Sequence, residues 1–200
     1  EQLANQLTLH DSLLIMYAGH GHLDKKTNSG FWIPVDAGTD TYKQDRWLPN
    51  SQVRGLISGI KAIHVCLLVD SCFSGNILAS TRALTLEPEG NFYEKAYSLV
   101  SRQVLTSGAL ESVPDTSGCA IQLKSILRRN ERPILDALIM YTEIRLGMHQ
   151  TLPMIGSLKE TGHQEGSCFL LFLKDEGTEV GTSEETGTGV ADMTTDFQDT

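Results

Sequence analysis

The sequence predicts an α/β domain: a mainly parallel sheet flanked by helices, with its chemistry at the carboxyl ends of the strands. Three observations carry that prediction. Four short apolar runs, at residues 13–18, 63–69, 103–107 and 168–173, are each bounded by turn residues, the pattern of strands covered on both faces. Stretches with helical spacing of apolar residues lie between them. Two of the runs end alike, in a reactive side chain followed closely by glycine.

The elements follow in order. The first run leads into Gly19-His20-Gly21. Residues 22–50 are rich in Gly, Pro, Asn and Thr and read as a long irregular stretch. Asn50 or Ser51 is placed to cap a helix that carries Val53, Leu56, Ile57 and Ile60 on one face. The second run ends in Asp70-Ser71-Cys72-Phe73-Ser74-Gly75, and residues 76–98 form a second irregular stretch. Beyond the third run come two helical patterns. One spans 119–129, with Ile121, Leu123, Ile126 and Leu127; the other spans 135–149, after Pro133. Residues 168–173 supply the fourth strand. Strand–helix alternation implies parallel pairing with right-handed crossovers. Long loops in such a domain are often functional.

Charge is unevenly placed. The chain of 200 residues carries −9 overall, yet residues 175–200 hold eight acids and no base. The remainder has 16 bases against 17 acids, so it is near neutral and offers no nucleic-acid surface. The tail is nearly free of large apolar residues and reads as disordered, leaving 1–174 as the folded domain. No apolar stretch approaches the roughly 18 residues of a membrane span. The four cysteines (Cys66, Cys72, Cys119, Cys168) show no C-x-x-C pair, and two sit inside apolar runs, which favours a reducing cytoplasm.

In an open parallel sheet the chemistry lies beyond the carboxyl ends of the strands. If the first two runs are neighbours, His20 and Cys72 face one another there. The pair has the parts of a nucleophilic site, with the backbone N–H groups of Gly21 and Cys72 as an oxyanion hole. A short helix starting near Ser74 would turn its positive end toward the thiol. A histidine in a glycine-rich turn is commonly only a turn residue, and a cysteine at a strand end is commonly core. Both at equivalent strand ends is a rarer coincidence. A zinc site from His20, His22 and Cys72 lacks a fourth ligand and would need a His-x-His turn as its base. Ser74-Gly75 is not a G-x-S-x-G elbow, and no glycine-rich phosphate loop follows the first strand.

Tyr17-Ala18-Gly19-His20-Gly21 and Asp70-Ser71-Cys72-Phe73-Ser74-Gly75 resemble the His and Cys motifs of the caspase-like peptidases, nearest to the bacterial caspase-like proteins (orthocaspases) and the metacaspases. The two motif residues are 52 positions apart, close to the caspase spacing. FWIPVD from Phe31, SRQVLTSG from Ser101 and MIGSLKETGHQEGSCF from Met154 extend the similarity. Two positions depart from true caspases: Asp70 stands where they have Gln, and Phe73 where they have Arg. Many metacaspases have His in the place of Phe73.

The resemblance implies a caspase-like three-layer sandwich and a cysteine endopeptidase working through a Cys72–His20 dyad. The family's domain opens with a strand, a helix and a strand ahead of the His-bearing strand. The resemblance therefore implies an N-terminally incomplete domain, with residues 13–18 as an exposed edge open to another chain or segment. Asp70 lies two residues before Cys72, on the same strand face, and suits a cationic side chain before the scissile bond. In metacaspases and paracaspases the matching residue lines that S1 pocket. Glu111, past the next strand end, is placed as a second pocket acid, and Arg82 in the polar loop after Cys72 as an autoprocessing site. Some metacaspases respond to calcium, but no clustered acidic loop marks a site here; no cofactor is expected. Expected partners are peptide or protein substrates, with no nucleic acid and no membrane. The rival reading is a catalytically silent caspase-like module that binds a peptide or protein.

Overall fold

The computed structural model describes residues 6–40, 44–72, 77–78, 91–108 and 118–174. Its elements are β1 (Ser12–Ala18), β2 (His20–Asp24), β3 (Ser29–Ile33), a single 3-10 turn at Gln44–Arg46, β4 (Leu48–Pro49), α1 (Asn50–Ser58), β5 (His64–Asp70), α2 (Phe92–Tyr97), β6 (Ser101–Thr106), α3 (Gly118–Arg129), β7 (Ile134–Asp136), α4 (Ala137–Gly147), β8 (Met154–Ser157) and β9 (Leu170–Phe172).

The central sheet has the order β1-β5-β6-β8. The pairings β1–β5 and β5–β6 are parallel, and β8 joins β6 antiparallel. β5 and β6 are buried along their whole lengths; β5 accordingly reads as a nearly continuous apolar run, while β6 also buries Arg102 and Gln103. Alternate residues of β5 serve two cores. Val65, Leu67 and Val69 pack with Val53 and Ile57 of α1. Cys66 and Leu68 pack with Ala96 of α2, Cys119, Leu123 and Ile126 of α3, and Ala137, Met140 and Ile144 of α4. Helices thus cover both faces of a mostly parallel sheet. Among the described residues β1 is an edge strand, with Met16 42% exposed.

Five expectations need correction. Residues 76–98 are not irregular throughout, because α2 occupies Phe92–Tyr97. Residues 22–50 are not irregular throughout: β2, β3 and β4 form an antiparallel sheet. The β2–β3 turn is held by the Asp24 carboxylate, which accepts from Lys26 N (2.8 Å) and Thr27 Oγ1 (2.9 Å), and it closes through Asn28 at φ 55°. The run at 168–173 does not join the central sheet; β9 pairs antiparallel with β7, and β8 takes the fourth place instead. Neither Asn50 nor Ser51 caps α1. Pro49 holds that position in extended conformation (φ −66°, ψ 144°), where its fixed φ fits and no side-chain cap bond forms. The pattern at 135–149 begins in strand: α4 starts only at Ala137, where Asp136 caps it by accepting from Ile139 N at 2.7 Å.

Among the described residues, no helix is long and apolar enough to cross a membrane. The tail at 175–200 lies outside the described residues.

Candidate active site

The register of β1 on β5 sets Ala18 opposite Asp70, and Gly19 N donates to the Asp70 carbonyl at 3.1 Å. The two strands therefore end together, and the segments that follow them meet. The contact is at Gly21. A Cβ there would collide with the Cys72 carbonyl oxygen and with Ser71 Oγ. Only glycine permits this approach, so Gly21 locks the His20 segment onto the Cys72 segment. His20 is exposed and Cys72 half-buried, so both remain reachable from solvent.

His20 does not lie in a turn, as the sequence suggests, but opens β2 opposite Ile33. Tyr17 fixes its backbone. The phenol donates to the His20 carbonyl at 2.7 Å, and lies 3.3 Å from the Ile33 carbonyl. Its ring stacks on Trp32 with centroids 4.2 Å apart and planes within 8°. Burial raises the Tyr17 pKa, which keeps the phenol a donor. In the sequence Tyr17 stands only as a member of the first apolar run and of the His motif; nothing there signals the bond to His20.

Asp70 ends β5 on the face shared with Cys66 and Leu68, and is only 4% exposed. Its carboxylate lies close to the first turn of α3. The Cys119 thiol is pushed up to about 12, by burial first and by the Asp70 charge second. Ser107 N donates to the Val69 carbonyl at 2.9 Å, so the β6 register carries Ser107 alongside Asp70. Three hydroxyls at this end, Ser71 Oγ, Thr106 Oγ1 and Ser107 Oγ, are buried without a hydrogen-bond partner. The signal for them in the sequence is three small hydroxyl residues closing two apolar runs.

None of the four cysteines forms a disulfide. Cys66, Cys119 and Cys168 are buried, and burial is the main cause raising each of their pKa values. Cys72 alone among them is partly exposed. The structure therefore brings Gly21 against Ser71 and Cys72, with His20 one residue before Gly21 and Asp70 two residues before Cys72. Glu111, Arg82 and the turn at 73–76, with the helix expected near Ser74, lie outside the described residues. His20 and His22 share a strand face, yet among the described residues no group of three or more His, Cys, Asp or Glu side chains is placed to hold a metal ion.

Fold and site together define an α/β protein with a thiol and an imidazole at the carboxyl end of a mostly parallel sheet. No family model matches the chain, and no curated protein matches it.

Proposed function

We propose that the protein is a cysteine endopeptidase of caspase-like type that cuts after basic residues. The observation that carries this reading is the contact of Gly21 with Ser71 and Cys72, which seats the histidine segment against the thiol segment at the sheet's carboxyl end. Cys72 Sγ attacks the scissile carbonyl carbon, and the thiol proton passes to His20. Backbone N–H groups of Gly21 and Cys72 hold the oxyanion. As the C–N bond breaks, His20 gives the proton to the departing amine, leaving a thioester. Water, deprotonated by His20, then releases the acid and restores the thiol. Asp70, buried beside Ser107, supplies a carboxylate for an Arg or Lys side chain; Arg is preferred because its planar fork engages a carboxylate bidentately. An Asp side chain would be repelled.

The test is a cleavage profile on a peptide library for wild type and Asp70→Asn. The reading predicts cuts after Arg and Lys, few after Asp, and a strong loss of Arg cleavage in the variant. Efficient cleavage after Asp, or unchanged Arg cleavage in Asp70→Asn, refutes it.

A second reading, a module that binds a partner without turnover, draws on the edge position of β1, whose backbone offers pairing to an added strand. Absence of any cleavage, with retained binding of an extended peptide, would favour it.

A further inference from the structure

The first strand leads into His20 through Tyr17-Ala18-Gly19, and two of these residues are not what packing alone would ask for. Tyr17 packs against the α1 core and stacks flat on Trp32, with 4.2 Å between ring centroids. A phenylalanine would fill that place and make the same stack. A hydroxyl taken out of water costs free energy unless it is bonded. The acceptors that the Tyr17 hydroxyl meets are the carbonyls of His20 (2.7 Å) and Ile33 (3.3 Å), residues that pair with each other across β2 and β3. Gly19 is tied to the same hydroxyl. Its φ lies outside the left-handed region, so its backbone conformation does not call for glycine there. The phenol is what excludes a side chain: a Cβ on Gly19 would stand 3.0 Å from Tyr17 Oη and 3.1 Å from Cζ. The phenol therefore lies across the chain where it passes from the central sheet into the hairpin, beside the bond from Gly19 N to the Asp70 carbonyl.

His20 itself is exposed, so its place is set through its backbone rather than by packing of its ring. The Tyr17 hydroxyl grips the His20 carbonyl, and one residue later Gly21 presses on Ser71 and Cys72. The peptide between these two contacts has little room to turn. Resting on the peptidase reading, we propose that Tyr17 is a positioning residue: its hydroxyl holds the His20 backbone so that the imidazole can return a proton to the departing amine, and Gly19 is the gap that admits it. Tyr17 acts only through His20 and exchanges no proton in the reaction. Burial, which raises its pKa, keeps it a donor.

The experiment uses the full chain, with Cys72→Ala as the blank, and two substrates sharing one acyl sequence ending in Arg. One is a peptide amide and the other a p-nitrophenyl ester. Both need the Cys72 thiol deprotonated. Only the amide needs a proton returned, because nitrophenolate leaves as the anion. In Tyr17→Phe, kcat/KM for the amide should fall by about 10²-fold, the cost of a misplacement of about 1 Å, while the ester loses less than about tenfold. Gly19→Ala should show the same selective loss, because its methyl presses on the phenol, and it keeps the test open if Tyr17→Phe does not fold. Equal losses on both substrates in both variants would make the contact purely structural and overturn the positioning role. Unchanged amide cleavage in Tyr17→Phe would overturn it as well. Either result leaves the peptidase reading standing. A wild type that cleaves neither substrate overturns both.

Discussion

The two ends of the parallel sheet are both lined with buried polar groups, and they differ in how many of them are bound to the fold itself. At the amino end Arg102 is only 4% exposed, and both terminal nitrogens of its guanidinium donate to backbone carbonyls: Nη1 to Ile63 O (2.8 Å) and Ser101 O (3.1 Å), and Nη2 to Ile60 O (3.1 Å), while Arg102 Nε and His64 Nε2 are buried without a partner. The backbone of Arg102 donates to His163 Nδ1 at 3.0 Å, and His64 stacks on Tyr97 with centroids 4.1 Å apart. At the carboxyl end Ser71, Thr106 and Ser107 carry buried hydroxyls with no partner, next to the Cys72 segment and Asp70. Buried polar groups are normally satisfied, and those that are not tend to mark sites that work on something else. One end therefore holds the fold together. Unpartnered polar atoms occur at both ends, but those of the other end lie where parallel sheets place their chemistry.

Substitutions at the two ends should separate activity from stability. The largest effect is expected from Cys72→Ala and His20→Ala. Each should lower peptide turnover by about 10⁴-fold or more while the melting temperature stays within a degree or two of wild type. The double variant should be no worse than the singles, because the pair acts as a unit. Peptide hydrolysis and differential scanning calorimetry on the same samples check this.

Arg102→Ala should do the reverse. It strips three backbone carbonyls of a charged donor at once, and hydrogen bonds to charged groups are worth about 1.5–3 kcal/mol each. A loss of about 3 kcal/mol or more is expected, visible as a fall in urea midpoint. The protein that remains folded should cleave with its original preference for Arg. Loss of cleavage with retained stability would break the division between the ends.

Gly21→Ala sits at the junction. The new methyl must displace the Cys72 backbone or Ser71, since both occupy its place. Misplacement of this size costs about 10²-fold in turnover. Overpacking costs about 1–3 kcal/mol of stability. Titration sharpens the amino end further. His64 and His163 both have pKa values lowered below 6.5, mainly by burial; hydrogen bonds to the Tyr97 and Leu99 backbone oppose this at His64 and Glu165 opposes it at His163, while the Arg102 charge adds to it at both. His64 Nε2 is buried without a partner, and His163 Nδ1 must stay unprotonated to accept from Arg102 N. The unfolded chain therefore binds these protons more readily than the folded one. Stability is full above about pH 6.5 and falls as pH drops below it, by up to about 1.4 kcal/mol per pH unit for each histidine until its lowered pKa is reached. Melting temperature against pH should show this slope, and His163→Gln should reduce it. The smallest effect is expected from Thr106→Val, which removes an unpartnered hydroxyl and should be neutral or stabilising by less than about 1 kcal/mol.

Much of this division was legible in the residues. β5 declared itself because a strand covered on both faces is largely apolar. β1 and β6 showed through the apolar residues they share with that pattern, despite the edge position of one and the buried Arg102 and Gln103 of the other. The motif residues His20 and Cys72 stood out just past two of these runs. β2 and β3 did not, because His-Gly-His-Leu-Asp is a poor strand sequence and the turn between them is closed by Asn28 rather than by a two-residue glycine turn. β8 was hidden by its length of four residues and its internal glycine. The run at 168–173 has the composition of a central strand but is buried by α4 and β7 instead; composition reports burial, not the neighbour that provides it. The bond from Tyr17 to His20 and the backbone role of Arg102 depend on register between distant segments, which no local pattern encodes.

The central claim, that His20 and Cys72 act as one nucleophilic pair, is tested most directly by intact-mass analysis after treatment with a peptidyl acyloxymethyl ketone ending in Arg. The account predicts one adduct per chain, located on Cys72. Cys66, Cys119 and Cys168 should stay unmodified because they are buried and their thiols are held protonated. In His20→Ala the adduct should disappear on the same timescale, while iodoacetamide still reaches Cys72. No adduct in the wild type, or one that forms equally fast without His20, would contradict the account.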